Sequence, residues 1–266
     1  QNNIINGNVF GIYANSNSTF QNAIRTNNIR FNNVGFGVNP ASGNGIYTDQ
    51  GTDRLLIARN AIRGQQNSGI LLTGTDVPFT ENRNVTIQNN QAVNNSTFVN
   101  MFRNNTNIQI RQNTTNDTIV DDNVDQGTAI RIADNANGVV VSNNTIRNSP
   151  FSGVAVRDME FSSFNPDNID IQFNRILSPE GNGVDVTDER SGAVSVFKNT
   201  IRHADLDGIV FSELTQNNFI NSNSATFSGD FDCQDFSHDG TGTDGTSNTW
   251  TNNVGPVADP GGICHN

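Results

Sequence analysis

The chain has 266 residues, 33% of them hydrophobic, and carries 26 acidic against 15 basic side chains for a net charge of −11. That balance, with no basic patch to offset it, argues against nucleic acid and anionic lipid as partners. No apolar run approaches the ~18 residues of a membrane span, and the opening at Gln1 without an apolar leader reads as a mature product or an excised fragment.

Taken in order, the first coils (residues 1–39) are the richest in Asn and the least regular, with a degenerate first copy of a repeat at Asn3. The repeat then becomes clear. An apolar-x-apolar-x-x-Asn-x-apolar spelling, best seen in the stretch from Val139 through Asn144 to Ile146, places its Asn at Asn27, Asn60, Asn90, Asn113, Asn144, Asn174, Asn199 and Asn217. The mean step is about 29 residues, in the range of stacked arrays. Apolar residues stand three places before each Asn (Ile24, Ile57, Ile87, Ile110, Val141, Ile171, Val196, Leu214) and, in most copies, five places before (Leu55, Val85, Ile108, Val139, Ile169, Val194). That alternation is the period of a half-buried strand.

A second motif interleaves with the first: Gly or Ala followed by an apolar residue, as in Gly45-Ile46, Gly69-Ile70, Ala129-Ile130, Gly153-Val154, Gly183-Val184 and Gly208-Ile209. Each coil is therefore expected to carry two short strands joined by turns. Insertions leave after the second strand at residues 73–83 and 157–167, on one side of the rod. About nine coils at ~4.8 Å give a core of roughly 40 Å.

The Asn column has a physical reason. At a sharp turn Asn tolerates the bent backbone, and its amide can bond to the equivalent Asn one coil away. Beyond residue 223 the composition turns to Asp, Gly, Thr and Ser, so residues 1–223 are read as repeats and 224–266 as a C-terminal cap, plugged by Trp250, Phe231 and Phe236. The two cysteines, Cys233 and Cys264, both lie in this tail. They are either a disulfide, which would imply an oxidising compartment, or two free thiols.

The repeat, with its Asn ladder and apolar-x-apolar strands, resembles the right-handed parallel β-helix family that includes pectate and pectin lyases. The resemblance implies an all-β solenoid, extracellular or at the cell surface, that interacts with polysaccharide. It also leaves open a Ca²⁺-dependent lyase. The alternative, from another class, is a non-catalytic stalk or filament module whose partners are neighbouring copies of itself.

Counting five residues from the Gly or Ala of the second motif gives Asp134, Asp158, Asp188 and Glu213 in four consecutive coils. Carboxylates stacked one coil apart repel unless cations intervene, so they are expected to line an acidic groove, with Asp158 and Asp188 as Ca²⁺ ligands. Phe161 and Phe164 would stack on sugar rings there. Arg157 and Arg190 are the candidates for a lyase base, with Arg131 and Asp185 nearby. The hydrolase motifs Gly-His-Gly and Arg-Ile-Lys are absent. The run Asp239 to Gly245 reads either as a Ca²⁺ loop or as a polar turn.

Overall fold

The computed structural model describes residues 1–15, 21–32, 42–49, 51–74, 81–116, 127–157, 166–187 and 193–265. Their strands form three sheets with parallel pairing, wound as a right-handed parallel β-helix of about nine coils. Sheet 1 runs from Ile4–Asn6 to Ser224–Thr226, sheet 2 from Asn22–Arg25 to Thr249–Thr251, and sheet 3 from Phe10–Tyr13 to Cys233–Asp235 and Ala258–Asp259.

A coil thus has three strands where the sequence suggested two. The unforeseen one follows the ladder Asn and is three residues long, for example Ala61–Arg63, Thr145–Arg147 and Arg175–Leu177. Only its middle residue points inward, so it has no alternation of its own to be recognised by.

The inward residues stack into columns. In sheet 2 the column Ile24, Ile57, Ile87, Ile110, Val141, Ile171, Val196, Ile220 ends on Trp250. In sheet 3 it is Ile46, Ile70, Val99, Ile130, Val154, Val184, Ile209 and Cys233. Nearly all of these are fully buried, which is what holds the register: a slip by one residue would turn a whole column to water.

Polar ladders turn the corners. Between sheets 2 and 1, the Nδ2 of each ladder Asn donates to the next coil's Oδ1, as from Asn27 to Asn60, Asn90 to Asn113 and Asn174 to Asn199, each at 3.0 Å. Asn3 joins at the start. The residue before each ladder Asn adopts a left-handed conformation, with φ between +51° and +56° from Thr26 to Asn252. A second ladder, Asn8 to Asn32 to Gln65, turns sheet 1 into sheet 3. The Gly of the second motif sits just after that corner. A Cβ on Gly45 would stand 2.6 Å from the carbonyl of Gly69 and 3.3 Å from Ile62 Cγ2, so a side chain has no room.

The register expected at the C-terminal end is corrected. Asn199 passes its bond to Asn223, and Asn223 to Asn253. Asn217 is an exposed left-handed residue outside the ladder, and Leu214 is 54% exposed. The repeat runs on past residue 223 through Ser224–Thr226, Cys233–Asp235 and Thr249–Thr251. Trp250 is the plug, packed edge-on against Phe211 with centroids 5.6 Å apart. Its Nε1 donates to Asp235 Oδ2 at 2.6 Å, and Asp235 also accepts from Ser237 and Asn248. Phe236, expected in the plug, is 53% exposed because its neighbours Asp235 and Ser237 point inward. Cys233 and Cys264 form a disulfide.

Candidate functional site

The outward residues of sheet 3 form an axial column: Tyr13, Tyr47, Leu71, Asn100, Arg131, Ala155, Asp185, Val210 and Gln234. From Tyr47 onward these residues are buried, although they face away from the core. Buried polar and charged groups on an outer face are expensive unless they pair, so their arrangement is the informative feature.

Its centre is an ion pair between neighbouring coils. Arg157 Nη2 lies 2.7 Å from Asp185 Oδ2, with the guanidinium side chain 17% exposed and the carboxylate 1%. Ser152 Oγ donates to the same Oδ2 at 3.1 Å. Asp185 Oδ1, like Asn100 Oδ1 further along the face, is buried with no hydrogen-bond partner among the described residues. The guanidiniums are seated on rings: Arg157 lies 5.2 Å from the centroid of Phe151, and Arg131 4.8 Å from that of Phe102.

One coil further on, Asp207 is also buried. Burial pushes its carboxyl up to about 6; the Phe231 N–H, donating to Oδ1 at 3.0 Å, pulls the other way, and the charges of Asp230 and Asp185 add to the rise. Asp185 is thus paired with Arg157, and Asp207 is the carboxyl that holds its proton more tightly.

At the N-terminal end of the same face stands an aromatic group. The Phe10 and Tyr47 rings stack with centroids 5.2 Å apart, and Tyr13 lies 5.7 Å from Tyr47. Tyr13 Oη donates to Asp49 Oδ1 at 2.5 Å and accepts from Asn15 Nδ2 at 2.6 Å. The bond to Asp49 is the main cause that raises the Tyr13 hydroxyl pKa, followed by burial; for Tyr47 burial leads and Asp49 adds. This group was not anticipated, yet its signal was available: Tyr13 and Tyr47 each directly follow the Gly-Ile of the second motif.

Of the residues expected to form the acidic groove, Asp134 is buried, and its Oδ2 accepts the backbone N–H of Arg103 at 3.3 Å. It is turned into the turn backbone instead of lining an open groove, because a left-handed corner at Asp134 itself (φ +57°) leaves neighbouring N–H groups in need of an acceptor. Glu213 is exposed at the far end, 3.8 Å from His238. Asp158, Asp188, Arg190, Phe161 and Phe164 lie outside the described residues. Asp244 accepts from the Gly262 N–H and so ties the tail. Among the described residues no group of three or more His, Cys, Asp or Glu is placed to hold a metal ion. Among the described residues no helix is long and apolar enough to cross a membrane.

No family model matches the chain, and no curated protein matches it. Its fold is similar to that of solved structures. A double mutant of the periplasmic alginate epimerase AlgG aligns with a TM-score of 0.66 at 14% identity, over 89% of this chain and 50% of that one. The A-module of the mannuronan C-5 epimerase AlgE6 of Azotobacter vinelandii aligns with 0.62 at 12%, over 81% and 64%. The catalytic unit of an α-1,3-glucanase from Streptomyces thermodiastaticus aligns with 0.51 at 15%, over 89% and 49%. At these identities the likeness is one of fold. The chain spans about half the length of AlgG and 64% of the AlgE6 module.

Proposed function

We propose that the chain is an extracytoplasmic polysaccharide-binding β-helix that takes its glycan along the outer face of sheet 3. The observation that carries this reading is the Arg157–Asp185 pair: a guanidinium partly open to solvent, oriented from behind by a buried carboxylate and Ser152, and seated on Phe151. A guanidinium is a rigid, planar fork of donors suited to a sugar carboxylate or hydroxyl, and the side chain of Arg157 keeps 17% of its surface open to solvent. The Phe10, Tyr13 and Tyr47 cluster, with Asp49 and Asn15, would supply a second contact at the N-terminal end of the face. The polysaccharide-acting proteins named above and the disulfide support the substrate class and the compartment.

Arg157 serves here as an anchor: the carboxylate of Asp185, 2.7 Å away, holds the guanidinium in one orientation on the face. A net charge of −11 repels a polyanion at long range. Asp158 and Asp188, with Ca²⁺ bridging them to a uronate chain, would relieve that repulsion, and they remain the proposed cation ligands. Asp134 and Asp185 each already use one carboxylate oxygen, on the Arg103 N–H and on Arg157.

The test is affinity electrophoresis on gels containing alginate, polygalacturonate or a neutral glucan, with and without Ca²⁺, for the wild type and for Arg157→Ala. Retardation by a polyuronate that the substitution weakens roughly tenfold supports the reading. No retardation on any gel, together with concentration-dependent self-association in sedimentation, would transfer the weight to the stalk or filament reading.

A further inference from the structure

The outer face of sheet 2 carries a feature unrelated to the site above. One corner of that sheet is marked in successive coils by left-handed residues: Arg54, Asn84, Asn107, Gly138, Asn168, Ala193 and Asn217, with φ from +53° to +83°. Asn suits this conformation, and its side chains link coils here, as in Asn107 Nδ2 to Asn84 Oδ1 at 2.6 Å and Asn168 Nδ2 to Asn137 Oδ1 at 3.4 Å. At Ala193, between Asn168 and Asn217, there is no amide side chain, as at Arg54 and Gly138 earlier in the column. A residue with a Cβ and no polar group takes up a backbone shape that favours Gly or Asn.

Beside Ala193 lies a depression of about 440 Å³ lined by Asn168, Asp170, Ala193, Ser195, Asn217 and Phe219, with Val194 beneath. Asp170, Ser195 and Phe219 are Cα partners along one outward column, so they line the depression from successive coils. Phe219 is 44% exposed. A bare aromatic face beside two amides, a hydroxyl and a carboxylate is a small set of polar groups around an apolar platform, and the volume falls in the range of small-ligand sites, roughly 300–1,000 Å³.

We infer that this depression is a second glycan subsite and that it takes a neutral hexopyranose unit. The Phe219 ring offers a flat apolar surface to the C–H face of a pyranose, while the Asp170 carboxylate accepts hydroxyl hydrogens in charge-assisted bonds. Among the described residues no Lys or Arg lines the depression, and Asp170 repels a carboxylate, so a uronate is disfavoured where a neutral ring is not. The subsite is therefore opposite in preference to the Arg157 face, and it stands or falls independently of it.

Ala193→Asn is the discriminating variant. It places an amide between Asn168 and Asn217, is compatible with the left-handed backbone, and fills the depression without touching the core, so the chain keeps its fold. Saturation-transfer NMR with cellohexaose, laminarihexaose, maltohexaose and mannohexaose at millimolar concentration is expected to show binding of at least one. That binding should weaken roughly tenfold in both Ala193→Asn and Phe219→Ala, and be unchanged in Arg157→Ala. Absence of binding by all four neutral probes, or binding that Ala193→Asn leaves intact, overturns the inference. Loss of polyuronate retardation in Arg157→Ala reads only the sheet 3 face, so the two proposals fail separately.

Discussion

Asn144 is tied to Asn174 twice over, its backbone N–H and its Nδ2 both donating to the same Oδ1 at 3.0 Å. Its own Oδ1 takes the equivalent pair from Asn113, and its Nδ2 also reaches the Ile110 carbonyl at 2.9 Å. Asn144→Ala therefore strands buried donors on Asn113 and a buried carbonyl. The expected loss is about 3 kcal/mol, from the typical ~1–3 kcal/mol for each unsatisfied buried group. Asn217→Ala, in an exposed turn, is expected to cost about 1 kcal/mol or less. Urea titration of both variants checks the assignment: equal losses would contradict the ladder's path through Asn223.

Asp185→Ala removes the buried half of the pair with Arg157 and leaves the guanidinium over Phe151 without its carboxylate. Breaking a buried pair costs about 3–5 kcal/mol, and the partial exposure of Arg157 places this one near the lower end. The double variant Arg157→Met with Asp185→Leu should recover much of the loss, because no charge is then buried alone. A double variant as unstable as Asp185→Ala would show that packing, and not charge, dominates at this position.

The disulfide joins residues 31 apart, and the chain-entropy account assigns such a loop about 3–4 kcal/mol. The Cys233→Ser, Cys264→Ser variant is expected to lose about that much in chemical denaturation, with Trp250 fluorescence changing first. Unchanged stability would mean that the Trp250–Asp235 hub alone secures the end of the core.

Stability should also depend on pH through Asp207. Its folded pKa, about 6, lies above the ordinary carboxyl value of ~3.9, so the folded state binds the proton more tightly. Its contribution is fully present below about pH 4 and is lost as pH rises through 6. Asp207→Asn keeps an oxygen for the Phe231 N–H and removes the titration, so its stability curve between pH 4 and 6.5 should be flatter. Asp53 acts in the opposite sense. Burial raises its carboxyl, but Asn84 and the Arg83 and Arg54 guanidiniums outweigh that and hold it below the ordinary range. Its share is present above about pH 4 and fades only in stronger acid. Equal slopes for Asp207→Asn and the wild type would refute the assignment.

The fold could be read in the sequence wherever two inward residues alternate around a fixed Asn, as in Val139, Val141 and Asn144. It could not be read in Ala61–Arg63 or its counterparts, where a single inward residue carries no period. The spelling misled at Asn217, because Ile220, Asn223 and Ala225 repeat it six residues on and it is Asn223 that takes the bond from Asn199. The candidate site was half legible. Arg157, Arg131 and Asp185 were within reach of the motif, but the burial of the outer face of sheet 3 depends on tertiary contacts that no local pattern encodes, and it is burial that turned Asp134 from a groove residue into a backbone acceptor.

The left-handed residue that precedes each ladder Asn is Thr26, Arg59, Asn89, Gln112, Asn143, Phe173, Lys198, Ser222 and Asn252 in turn. Small, charged, amide and aromatic side chains all occupy one corner because the ladder next door has already set the backbone. That edge is a pegboard with a hole every ~4.8 Å. Phe173, Phe197 and the chain's single lysine, Lys198, whose Nζ lies 4.7 Å from the Phe197 centroid, show how neighbouring pegs can be combined. New surface chemistry can be drafted there one coil at a time, with the fold left out of the negotiation.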